Sequence, residues 1–132
     1  MEVLTTAALL AAHIERSAEL FAEVVRLSMR IAADAAKHEA QRLAPPGIAR
    51  TIEAVAEDAN FALETDHRAA VFVEAGTRAH IIEGRLAFQI AGSMVFARRV
   101  NHPGNKAAPY MQPGVDHGAH VFAQSMAELF PS

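Results

Sequence analysis

The chain contains 132 residues, has no cysteine and carries a formal net charge of −3 with its histidines neutral. This length predicts one domain, residues 1–132. The acidic balance argues against a broad basic surface for nucleic acid, and the lack of cysteine excludes disulfides and cysteine-ligated metals. No apolar run approaches the roughly 18 residues of a membrane span. The opening Met1-Glu2-Val3-Leu4 lacks the basic start of a signal peptide, which predicts synthesis in the cytoplasm and no membrane partner.

The first 44 residues predict one long helix. Thr5 or Thr6 can cap its start, and no Gly or Pro follows until Pro45. A helix of this length spans about 50 Å at 1.5 Å per residue, more than a domain of this size needs. We therefore expect part of it to project or to pack on another subunit, and the alternative is two helices with a bend. Side chains at helical spacing form a stripe: Leu10, Ile14, Ser17, Phe21, Val24, Ser28, Ile31 and Ala35.

Residues 48–110 predict a small antiparallel sheet with a short inserted helix. Alternating side chains indicate strands over 51–57 and 60–64. The short helix covers residues 67–74, and Gly76 with a positive φ should close it. A second hairpin turns around Ala91-Gly92-Ser93, with Gly84 breaking its first strand.

Residues 113–130 predict a C-terminal amphipathic helix. Pro113 suits the first helical position, and Gly118 predicts a bend or close packing because it weakens the helix. The order of elements predicts the α+β class, with the C-terminal helix packed on the sheet. The apolar stripe of this helix follows spacings of three and four: Val115, Ala119, Phe122, Met126 and Leu129.

Two loop clusters bracket the second hairpin. Residues 74–80 read Glu-Ala-Gly-Thr-Arg-Ala-His, and residues 102–113 read His-Pro-Gly-Asn-Lys-Ala-Ala-Pro-Tyr-Met-Gln-Pro. Gly76 and Gly104 permit tight reversals, and the prolines lower the entropy lost when the second loop docks. The stretch therefore predicts rigid, shaped loops on either side of a hairpin.

This arrangement resembles the tail-completion, or head–tail joining, proteins of long-tailed phages, the minor tail protein Z-like group. That family shows a Glu-x-Gly-Thr-Arg/Lys-x-His turn, a variable hairpin, a His-Pro-Gly segment, a Pro-aromatic pair and a last helix. The matching positions here are Glu74, Gly76, Thr77, Arg78, His80, His102, Pro103, Gly104, Pro109, Tyr110 and Pro113.

The resemblance implies a structural protein of the virion neck, made in the host cytoplasm. It implies a ring, with six subunits expected, that completes the tail and joins it to the head. Its partners would be copies of itself, head-closure or connector proteins and the tail-terminator protein, with DNA passing through the ring lumen. Neither enzymatic activity nor a catalytic residue, cofactor or metal is expected.

The loop residues have two explanations, and both can hold. They present a fixed shape to sibling or neighbouring chains, where Tyr110 would offer an apolar ring and a hydroxyl. Alternatively they hold the loops onto the chain's own core. Under the first explanation the interface residues are Glu74, Gly76, Thr77, Arg78, His80, His102, Pro103, Gly104, Pro109 and Tyr110.

Two other functions remain as alternatives. The first is a small histidine-rich, metal-binding hydrolase. His117 and His120 are three residues apart beside Asp116, and His80 or His102 could complete a ligand shell; no His-Glu-x-x-His motif supports this. The second is a homo-oligomeric scaffold outside any virus.

Three arginines lie on or beside the second hairpin: Arg85, Arg98 and Arg99. In a ring they could face DNA in the lumen or pair with acidic partner surfaces. The net charge of −3 favours solvated strand ends over DNA contact.

Overall fold

The computed structural model describes residues 6–130 and confirms the α+β class. The strands form two separate antiparallel hairpins, β1–β2 and β3–β4. The chain divides into two compact units, one ending at Asp66 and resuming at Tyr110, the other spanning His67–Pro109. Within residues 6–130, no helix is both long and apolar enough to cross a membrane. The elements in chain order are α1 (Thr6–Leu43), α2 (Pro46–Ala49), β1 (Glu53–Ala56), β2 (Phe61–Glu64), α3 (Ala70–Ala75), β3 (His80–Ile90), β4 (Ser93–His102) and α4 (Met111–Leu129).

Helix α1 is one helix of 38 residues without a break, about 57 Å long at 1.5 Å per residue. The capping position Thr5 lies outside the described residues. All buried side chains of α1 lie between Ser28 and Ala40, and residues 6–23 are exposed. The stripe seen in the sequence is therefore not the buried face, since Ser28 is its only buried member.

Apart from Met29, the buried face of α1 consists of small side chains, because α4 approaches it very closely. Ala32, Ala36 and Ala40 have no exposed surface. A Cβ atom added to Gly114 would lie 2.8 Å from the Ala36 carbonyl oxygen, and one added to Gly118 would lie 2.8 Å from the Ala32 carbonyl oxygen. Of the two explanations for Gly118, close packing holds.

A valine at Gly118 is expected to destabilise the unit that contains α1 and α4. The new side chain would overlap the Phe61 ring and the Ala32 backbone, and overpacking of this kind costs about 1–3 kcal/mol. The matched control is Ala119→Val, because Ala119 is exposed on the same helix. Chemical denaturation should show that the free energy of unfolding falls by about 3 kcal/mol in the first variant and by less than about 1 kcal/mol in the second. Equal losses would refute the close approach of α4 to α1.

Helix α4 begins at Met111, two residues before the predicted start at Pro113. Proline is tolerated there because backbone N–H groups in the first turn have no partner within the helix. The preceding Tyr110 has 0% exposed surface and, with Ile52, is one of the two largest fully buried side chains. Tyr110 therefore anchors the start of α4 in the core.

The β3–β4 hairpin confirms the predicted turn and corrects the predicted strand break. Ala91 and Gly92 both have positive φ, at 51° and 82°, which is typical of a two-residue type I′ turn. Gly84 does not end its strand; β3 continues through it. The pairing instead shifts by one residue between Glu83 and Leu86. This β-bulge lets residues 84 and 85 oppose a single residue, Arg98.

Candidate functional site

Within the His67–Pro109 unit, the two loop clusters meet. Thr77 and Asn105 form an isolated antiparallel bridge. The Thr77 N–H donates to the Asn105 carbonyl oxygen at 2.9 Å, and the Asn105 N–H donates back to the Thr77 carbonyl oxygen at 3.1 Å. The Asn105 N–H also lies 2.9 Å from the Thr77 hydroxyl oxygen, which accepts from it. Within this unit, the first cluster and residues 102–109 of the second are therefore in direct contact.

Two glycines make this meeting possible. Gly76 closes α3 at φ +75°, as predicted, and Gly104 has φ +82°. A Cβ atom at Gly76 would lie 2.7 Å from the Ala107 nitrogen. One at Gly104 would collide with the Thr77 carbonyl oxygen and lie 2.7 Å from the Arg78 carbonyl carbon. Because these neighbours are backbone atoms, neither position accepts a side chain without moving the loops.

His80 and His102 face each other as a cross-strand pair. Their rings stack with centroids 4.8 Å apart. The His80 Nδ1–H donates to the Arg78 carbonyl oxygen at 2.7 Å, because a carbonyl oxygen only accepts. His102 Nδ1 accepts from the Gly104 N–H at 3.0 Å, so a neutral His102 carries its proton on Nε2. The loop before β3 thus holds the His80 ring, and the loop after β4 holds the His102 ring.

The clusters and α3 together line an open groove with a volume of about 760 Å³. Its apolar side chains include Phe72, which is 57% exposed, and the half-buried Val73 and Ile82. Its charged lining residues are Arg78 and Lys106, beside His80 and His102, and among residues 6–130 no carboxylate lines it. We call this feature the cationic groove. An apolar floor under positive charge suits a ligand that combines apolar groups with a carboxylate.

Comparisons with protein-family models, with curated proteins and with solved structures found no match.

The structure separates the predicted interface residues into three groups. Gly76, Thr77, Arg78, His80 and His102 line the cationic groove. Glu74 and Gly104 are half-buried in the same unit, whereas Pro103 and Pro109 are exposed. Tyr110 belongs to the other unit and is fully buried there. For Tyr110, the explanation that it holds the chain's own core is therefore the one that applies.

His117 and His120 of the alternative metal site are exposed on α4, whereas His80 and His102 belong to the other unit. Among residues 6–130, no group of three or more histidine and carboxylate side chains is placed to hold a metal ion. Nothing in the described geometry adds a ligand to His117 and His120.

The arginines of the second hairpin are all exposed. Arg85 and Arg98 border a shallow surface depression with Leu86 and Phe96. Phe96 is 77% exposed. The exposed aromatic side chain of Phe96 therefore interrupts the basic surface around Arg85 and Arg98.

Four important groove residues were not among the predicted interface positions: Phe72, Ile82, Asn105 and Lys106. Asn105 and Lys106 occur in the second cluster, and the exchange of backbone hydrogen bonds with Thr77 could not be read from their spacing. Phe72 had a signal, since adjacent residues of a helix point in different directions, so the short helix predicted over 67–74 cannot bury both Val71 and Phe72 against one neighbour.

Proposed function

We propose that this chain is a structural protein of the phage neck, which forms a ring, completes the tail and joins it to the head. Its activity is binding between surfaces of fixed shape. The Glu-x-Gly-Thr-Arg-x-His and His-Pro-Gly motifs support the phage assignment by resemblance. The contact between these motifs through the Thr77–Asn105 bridge supports the idea that they form one binding surface.

The observation that carries the proposal is the large amount of apolar surface that the single chain leaves uncovered. Within residues 6–130, 17 large apolar side chains are exposed, whereas Met29, Ile48, Ile52 and Tyr110 are the large apolar side chains that are buried. Soluble monomers rarely expose extended apolar patches, which mark sites of protein association. The exposed set therefore favours a protein that works as part of an assembly.

Two elements carry most of this surface. On α1, exposed apolar side chains recur with helical spacing, including Leu10, Ile14 and Phe21. The β3–β4 hairpin exposes further apolar residues, including Ile90 and Phe96. An isolated two-stranded hairpin is marginally stable in water, so both elements gain from contact with other chains. The long helix is also the element that the sequence predicts to project or to pack on another subunit.

Polar substitutions on the apolar face of α1 are expected to abolish self-association. Leu10 and Ile14 are each 58% exposed, so Leu10→Ser with Ile14→Ser should leave the fold intact. Removing two large apolar side chains from an interface costs at least about 2–3 kcal/mol, or roughly a hundredfold in the dissociation constant. Analytical ultracentrifugation of the natural chain should show a ring-sized species, and the variant should sediment as a monomer.

The matched control is Ala12→Ser with Glu15→Ser, on the opposite face of the same helix. It introduces two serines without removing a large apolar side chain, so it should assemble as the natural chain does. A natural chain that remains monomeric at all concentrations would contradict the proposed ring.

The neck assignment is tested in assembled particles. Electron microscopy of phage particles made with tagged chain should place a ring of density between head and tail. A defective Leu10→Ser/Ile14→Ser chain should leave heads and tails unjoined. Assembly in solution without incorporation into any virion would instead indicate the non-viral scaffold.

A further inference from the structure

The cationic groove is separate from the surfaces proposed for self-association. Its lining comes from α3, the two loop clusters and one end of the β3–β4 hairpin. Neither Leu10 and Ile14 of α1 nor Ile90 and Phe96 of the hairpin line it. The groove is therefore a further surface, open to a different partner.

The positive charge of the groove is not neutralised within its own unit. Residues 67–109 contain six lysine and arginine residues and two glutamates, a net charge of +4 with neutral histidines. Adding Asp66, which directly precedes the unit, still leaves +3. Among residues 67–109, neither Arg78 nor Lys106 forms an ion pair, and neither glutamate of the unit lines the groove. A carboxylate on the partner would supply the negative charge that the groove lacks.

The two histidines add neutral hydrogen-bonding groups beside these charges. The Nδ1 atom of each ring is already bonded to a loop. Neutral His80 then leaves Nε2 as an acceptor, and neutral His102 leaves an Nε2–H donor. A peptide backbone offers both a donor and an acceptor, whereas an apolar carboxylate without N–H groups only accepts. These rings therefore favour a polypeptide over a simple carboxylic acid.

The shape of the groove is fixed by its own backbone. The Thr77–Asn105 bridge joins its two sides, and neither Gly76 nor Gly104 accepts a side chain without movement of the loops. A surface that is already ordered loses less conformational entropy when it binds. The groove is therefore suited to a short segment that brings the matching groups.

We propose that the cationic groove binds a short segment of another protein in which a carboxylate side chain follows a large apolar one. The apolar side chain lies on Phe72, Val73 and Ile82, and the carboxylate binds Arg78 and Lys106. A groove of about 760 Å³ is within the range of sites that enclose drug-sized molecules, so it has room for a few residues. The inference rests on the binding role in the proposed function and names the chemistry of one partner.

The test titrates the full-length chain with blocked peptides that differ in one side chain. The first is acetyl-Gly-Leu-Phe-Glu-Gly-amide, in which the glutamate is the only charge, and the others carry glutamine or lysine in its place. Calorimetry should show the glutamate peptide binding at least about tenfold more tightly than the glutamine peptide, because hydrogen bonds between charged groups are stronger than those to neutral ones. Equal affinities would refute the proposal.

Reversing the charge of the groove should reverse this preference. Arg78→Glu with Lys106→Glu should bind the lysine peptide at least about tenfold more tightly than the glutamate peptide. Both side chains are exposed, so circular dichroism should show an unchanged fold. The matched control is Arg85→Glu with Arg99→Glu, which reverses two exposed arginines outside the groove and should keep the preference for glutamate.

The apolar floor is tested on α3. Phe72 is 57% exposed and lines the groove, whereas Val71 is 70% exposed and does not. Phe72→Ser should bind the glutamate peptide at least about tenfold more weakly than the natural chain does, because it removes a large apolar contact. Val71→Ser should bind it as the natural chain does. Equal effects of the two substitutions would place the peptide outside the groove and refute the proposal.

The outcomes separate this inference from the proposed function. If the natural chain forms rings but does not prefer the glutamate peptide, the groove proposal fails and the ring stands. If the preference appears and reverses as expected in a chain that never assembles, the ring fails and the groove proposal stands. A charge-reversed groove that prevents ring formation would assign the groove to a second copy and overturn the inference. A short oligothymidylate that binds the groove more tightly than the glutamate peptide would assign it to nucleic acid, with the same consequence.

Discussion

Replacing Gly104 with alanine is expected to destabilise the His67–Pro109 unit by about 4 kcal/mol. Holding alanine in the left-handed region costs about 1 kcal/mol. The added Cβ also collides with backbone atoms of Thr77 and Arg78, so the loops must separate. Separation breaks the two Thr77–Asn105 backbone hydrogen bonds and the bond from Gly104 to His102, each contributing about 1 kcal/mol.

Gly92→Ala is the matched control for this substitution. Gly92 has the same φ of +82°, and nothing lies within 4 Å of the position its Cβ would take. This variant should therefore lose only the conformational part, about 1 kcal/mol. Amide hydrogen exchange over β3 and β4 measures the free energy of opening for this unit. Similar losses in the two variants would show that the contact between the loop clusters does not stabilise the fold.

Truncating Tyr110 to alanine is expected to cost about 4 kcal/mol of unfolding free energy. Tyr110 is completely buried at the start of α4, and loss of a buried aromatic side chain typically costs about 3–5 kcal/mol through lost burial and the cavity left behind. The unit of α1 and α4 should unfold at lower denaturant concentration.

The control is Tyr110→Phe, which keeps the ring and removes the hydroxyl. Its expected loss is about 1 kcal/mol. If the alanine variant were as stable as the phenylalanine variant, Tyr110 would not be a core anchor. Because the expected loss arises within one chain, it should be measurable in dilute solution, where partner subunits are absent.

The sequence predicted the elements well because their signals are local. The uninterrupted stretch before Pro45, the turn at Ala91-Gly92 and the positive φ of Gly76 each follow from one or two residues. The buried face of α1 could not be predicted in this way. Hydrophobic periodicity favours the largest side chains, whereas the core here selects Ala32, Ala36 and Ala40 because two glycines of α4 allow close approach.

The residues that line the groove depend on the register of β3 against β4, which local sequence patterns do not reveal. Counting back from the turn, where Ile90 pairs with Ser93, would place His80 opposite Pro103. The bulge after Glu83 shifts the pairing by one residue, so His80 faces His102. A shift of one residue also exchanges the faces of every side chain beyond it. Gly84 signalled an irregularity, and the sequence predicted a break where the structure has a bulge.

The alanine–glycine contact between α1 and α4 has a consequence for sequence variation. At Gly114 and Gly118 every substitution adds atoms where the Cβ alone would already lie 2.7–2.8 Å from its neighbours. At Ala32, Ala36 and Ala40 every residue except glycine is larger. Natural variants of this domain should therefore drift freely in surface charge and loop length while these five positions stay nearly invariant. A homologue that is otherwise hard to align would be recognisable by small residues spaced four apart on its first and last helices.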